Sequence, residues 1–123
     1  MGWPVLEILA VQWLKVRVGP ASTDLPAKVE VAYPDGFIRV LRGPGGDDGI
    51  TDEPLLDVEV FHPDRVDAAR LAEETRTALL QLTGRAVNGA LIDRVTTASG
   101  PAWVYYGPNV ERYVASYRVA YRQ

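Results

Sequence analysis

Leu56-Asp57-Val58-Glu59-Val60-Phe61-His62-Pro63-Asp64 decides how this chain folds. Leu56, Val58 and Val60 point one way and Asp57, Glu59 and Phe61 the other, the two-residue alternation of a strand. Pro63-Asp64 then opens a helix. Asp64 is placed as its N-cap, and Asp67 falls in the first turn, where the helix dipole favours negative charge. Ala68, Leu71, Ala72, Thr75, Leu79 and Leu82 recur at helical spacing, and Gly84 is a natural stop. A single apolar stripe predicts a helix packed on one face of a sheet.

The flanking segments extend this unit. Upstream, Ala27 to Tyr33 alternates Val29, Val31 and Tyr33 against Lys28 and Glu30, which reads as a strand. Pro34-Asp35-Gly36 supplies turn chemistry, and Phe37 to Arg42 returns as the second arm of a hairpin. Residues 43–53, rich in glycine and aspartate, read as an exposed flexible loop. Near the N-terminus, Pro4 suits a first helical position. Val5, Ile8, Leu9, Gln12, Trp13 and Val16 follow helical spacing, and Leu6, Ala10 and Leu14 form a second row. Two rows imply a helix covered on two sides, by its own sheet and by either a neighbouring subunit or returning loops.

Downstream, Ala90 to Ala98 reads as a strand broken by Ser99-Gly100-Pro101. Gly107-Pro108-Asn109 marks a turn. Val110 to Arg122 is a long strand with Tyr113, Ala115, Tyr117, Val119 and Tyr121 on one face. The expected fold is α+β: one domain over residues 1–123, with a mostly antiparallel sheet and two helices packed on it.

At 123 residues the chain has the size of one domain with a modest core. Its net charge of −3 gives no support to a nucleic-acid binder with a clustered basic surface. The absence of cysteine removes disulfides, thiolate catalysis and cysteine zinc sites. No apolar run approaches the length of a membrane span, and the N-terminus carries no signal-peptide pattern.

Searching for chemistry returns little. His62, the one histidine, cannot build a histidine metal cluster. Gly43 to Gly49 lacks the Gly-Lys-Ser/Thr ending of a phosphate loop. Asp47, Asp48, Asp52 and Glu53 lack calcium-loop order and read as a solvated acidic loop. Serines 22, 99 and 116 stand in no nucleophile elbow. The expectation is no enzyme, no cofactor and no metal. Trp103, Tyr105 and Tyr106 are more informative. They lie between two Gly-Pro pairs, where an interface and packing against the fold are equally open, since such residues favour sites buried at one end and partnered at the other.

Three stretches together carry a resemblance. They are the apolar N-terminal helix leading to Leu25-Pro26; Asp57 to Phe61 running into Ala68-Ala69-Arg70-Leu71-Ala72 and Leu82-Thr83-Gly84-Arg85; and Ile92 to Val95, Ser99 to Pro101, Tyr105 to Asn109 and Val110 to Tyr117. In order and spacing these resemble the tail terminator proteins of long-tailed, siphovirus-type phages that infect actinobacteria. The resemblance implies a ring, expected to be a hexamer, at the head-proximal end of the tail tube in the virion, assembled in the host cytoplasm. It would bind the tail tube protein on one side and a head-side connector on the other, with DNA passing through the lumen. Leu6, Ala10, Leu14, Trp103, Tyr105 and Tyr106 are then the expected interface residues. Asp47, Asp48, Asp52 and Glu53 are the expected lumen or partner loop. Alternatives are another neck protein, a head-closure or connector protein with the same class of function at a different position in the stack, and a small-molecule-binding regulatory domain, which would need an enclosed apolar pocket.

Overall fold

The computed structural model describes residues 6–43, 53–87 and 89–122. Its elements are α1 (Leu6–Arg17), β1 (Ala21–Ser22), α2 (Val29–Ala32), β2 (Phe37–Arg42), β3 (Leu55–His62), α3 (Arg65–Leu80), β4 (Ala86–Val87), β5 (Ala90–Trp103) and β6 (Glu111–Arg122). The fold is α+β. One six-stranded sheet runs β1-β2-β3-β6-β5-β4, antiparallel throughout except where β1 pairs in parallel with β2.

Helices α1 and α3 lie on the same face. Ile38 and Val40, Leu56 to Val60 at alternate positions, and Ala115, Tyr117 and Val119 form one core with the inner sides of both helices. The alternation read in β3 places Leu56, Val58 and Val60 in this core, and Asp64 caps α3 through a bond from the Asp67 amide at 3.0 Å. Trp13 fastens the helices to each other: its indole N–H donates to the Ala78 carbonyl at 2.7 Å. The Arg17 guanidinium covers its ring at 3.2 Å.

Among the described residues, the opposite face is covered at one end. There Phe37 and Phe61, paired across β2 and β3, join Val29 and Val110 in a second small core, with Leu25 and Tyr33 packed against it. Tyr33 stacks on Phe37 at 4.6 Å.

Two local expectations are corrected. Residues 27–33 do not form a strand. Ala21–Ser22 takes the place beside β2, tied by the Ile38 amide to the Pro20 carbonyl at 3.0 Å. The segment that follows drops onto the second face as a one-turn helix, burying Val29 and leaving Val31 exposed. Covering two phenylalanines outweighs the local alternation. β5 is not ended by Ser99-Gly100-Pro101 but continues to Trp103. The register passes from Ser99↔Ser116 to Ala102↔Val114, so one extra residue is accommodated as a bulge. Gly100 permits it, with φ +80° and the site of a Cβ pressed against the Val114 carbonyl oxygen.

Candidate functional site

The exposed large apolar side chains fall mainly at the covered end of the sheet. Trp103, Val104, Tyr105 and Tyr106 close the β5–β6 hairpin, and Val66 stands at the start of α3. Tyr105 is 64% exposed, too open for a core residue. Trp103 lies on the helix side, where the Arg65 guanidinium sits 4.4 Å from its ring. Its indole N–H donates to the Glu111 carboxylate at 2.7 Å. Tyr106 turns to the second face and meets Phe61 edge-on at 5.2 Å. An aromatic band therefore wraps the sheet end from one face to the other.

Arg112 holds this band. Its Nη2 donates to the Tyr105 carbonyl at 3.2 Å, and its guanidinium lies 5.2 Å from the Tyr106 ring. Nη1 donates to Glu59 at 3.0 Å. Glu59 also receives Arg39, its pairing partner across β2 and β3. One carboxylate in the sheet thus orders two guanidiniums, and one of these orders the hairpin loop. Such charge-assisted bonds are stronger than neutral ones and fix geometry.

Beyond this triad no element of the described residues covers the second face. A cleft of about 370 Å³ runs between Leu41, Asp57, Ser99, Val114 and Ser116. The Ser116 hydroxyl donates to Asp57 at 2.7 Å. On the other side of the sheet, a groove of about 490 Å³ between the end of α1 and α3 is bordered by Arg17, Arg70, Glu73 and Glu74. Both carry charged side chains along their walls. Among the described residues no three histidine, aspartate or glutamate side chains converge as a metal site would require. His62 accepts a bond from the Asp64 amide at its Nδ1, 2.9 Å away, and so helps shape the entry to α3. Tyr117 has its hydroxyl pushed up to about 12, chiefly by burial; the Arg76 guanidinium opposes this and Glu73 adds to it. It lies within the core, not in a cleft.

The structure separates the residues expected at an interface. Trp103, Tyr105 and Tyr106 come together at the surface. Leu6, Ala10 and Leu14 do not: they are 1%, 0% and 0% exposed, enclosed by their own sheet and α3. With Leu9 and Trp13 they make one wide inward face. The outward side of α1 is instead Ile8, Gln12, Lys15 and Val16. Both rows are apolar, but the row of Leu6, Ala10 and Leu14, expected to face a neighbour, faces the sheet and α3. Glu53 lies 4.0 Å from both Arg94 and Arg118, and Asp47, Asp48 and Asp52 lie outside the described residues. Sequence reasoning missed Val66, Arg65 and Arg112, because nothing local links α3 or mid-β6 to the hairpin loop.

No protein-family model matches the chain, and no curated protein matches it. No helix among the described residues is long and apolar enough to cross a membrane.

Proposed function

We propose that this chain is a structural protein of a long-tailed phage virion, a tail terminator whose copies form a ring on the head-proximal end of the tail tube. The observation that carries the reading is the aromatic band of Trp103, Tyr105 and Tyr106, displayed at one end of the sheet and fixed by Arg112 and Glu59. Contiguous exposed apolar surface marks interaction sites, and Tyr and Trp are enriched at the centres of protein interfaces. Holding these rings in place before binding reduces the ordering cost of association. The resemblance in order and spacing supplies the setting: tube protein on one side, connector on the other, DNA through the lumen. The small-molecule alternative asks for an enclosed apolar pocket, whereas both grooves described above are bordered by charge.

The test is a solution mass measurement of the chain alone and with a tube-forming tail protein. A closed ring of six copies, formed alone or on the tube end, is the expected result. A monomer that ignores the tube protein and takes up a small apolar ligand contradicts it.

A further inference from the structure

The outward stripe of α1 is apolar and basic. Ile8 is 43% and Val16 81% exposed, and Lys15 lies exposed beside them. From residue 8 to residue 16 the stripe is about 12 Å long. Among the described residues Lys15 makes no ion pair.

The cleft on the second sheet face has the opposite character. Leu41 and Val114 give it apolar walls; Glu59 is matched by Arg39 and Arg112, which leaves Asp57 as the acid of its wall. Asp57 accepts from the Ser116 hydroxyl, and among the described residues no ion pair joins it to a lysine or arginine. Residues 44–52, which join β2 to β3, contain no lysine or arginine.

We infer that a second copy of this chain lays the outer stripe of its α1 on this cleft, with Lys15 meeting Asp57 and Val16 meeting Leu41 and Val114. The inference rests on the assembly reading above and names the contact between neighbours in the ring. Two stripes facing each other would oppose Lys15 to Lys15, so a symmetric dimer through α1 is disfavoured. Stripe on cleft joins two different patches, and such contacts repeat head to tail, giving a ring where the rotation between neighbours closes.

Asp57 and α1 lie on opposite faces of one sheet, because its neighbours Leu56 and Val58 share the core with α1. A zero-length amide between Lys15 and Asp57 therefore cannot form within one copy. The chain has only two lysines, Lys15 and Lys28, so carbodiimide coupling followed by peptide mapping gives a clean readout. The expected result is covalent dimers and higher species carrying a Lys15–Asp57 linkage, lost in Lys15→Arg and in Asp57→Asn. Lys15→Glu and Asp57→Lys should each lose self-association. Mixing the two should restore it, since each reversed charge then meets its opposite. Thermal melts of the separate variants check that they are folded. The inference is overturned if Lys15 couples only to other carboxylates, if mixing restores nothing, or if the parent chain stays uncoupled at every concentration both alone and on tail tubes. Rings that cap tail tubes with Lys15 and Asp57 uncoupled would remove this contact and leave the tail assignment standing. Coupled rings that ignore tail tubes would do the reverse.

Discussion

Arg112 and Glu59 tie the polar centre of the second sheet face to the aromatic loop, so a change at either should be felt at both. Glu59 is 9% exposed and sits between two guanidiniums. Glu59→Gln keeps the shape but removes the charge, and should cost about 1–3 kcal/mol in urea unfolding. It should also broaden the nuclear magnetic resonance signals of Tyr105 and Tyr106 before the core melts. Tyr117 gives a prediction in pH. Its hydroxyl is raised to about 12 from the ordinary 10, so below pH 10 it is neutral whether the chain is folded or not. Between about 10 and 12 the unfolded chain loses this proton and the folded chain keeps it. Stability therefore falls as pH rises through that window. Alkaline melts of Tyr117→Phe should show a shallower loss than the parent chain. On α1, Leu14→Ala should cost about 2–5 kcal/mol as a core truncation. Val16→Ala should cost within about 0.5 kcal/mol, as an exposed substitution does. Melting curves of the two variants separate the inner face from the outer one.

At the scale of elements, the β5–β6 hairpin depends on how its bulge is built. Gly84 and Gly100 both have φ near +80°, but only Gly100 is pressed against a neighbouring strand. Gly84→Ala should cost about 1–2 kcal/mol, the usual strain of a side chain in this region. Gly100→Ala should cost clearly more, because the Val114 backbone must also move. Comparing denaturation midpoints of the two tests whether the bulge sets the hairpin's course. The same elements show what could be read in advance. β3, α3 with its Asp64 cap, and the alternating face of β6 were legible because their periodicity matches their burial. Residues 27–33 were not: the alternation of Val29, Val31 and Tyr33 lost to the cover that Phe37 and Phe61 require. The continuation of β5 past Pro101 was hidden for a similar reason. A bulge is a fact about two strands, and Ser99-Gly100-Pro101 in isolation has the composition of a stop.

At the scale of the molecule, the candidate site was half legible. Trp103, Tyr105 and Tyr106 stand out in sequence as aromatics between glycine-proline pairs, and they do gather at the surface. Leu6, Ala10 and Leu14 misled because a helix with apolar residues on both sides does not reveal which row faces the sheet; burial chose the wider set that includes Leu9 and Trp13. Arg65, Val66 and Arg112 join the band only through tertiary contact. Assembly should then be separable from folding. Tyr105→Ala should leave the melting temperature almost unchanged, since the side chain is mostly exposed, yet abolish binding to tail tubes. The most direct measurement of the central claim is imaging of tail tubes mixed with the purified chain, parent and Tyr105→Ala in parallel. A six-fold ring of added density on one end of each tube is expected with the parent chain, and bare tubes with Tyr105→Ala. Tubes left bare by the parent chain, or capped equally by both, would contradict that claim.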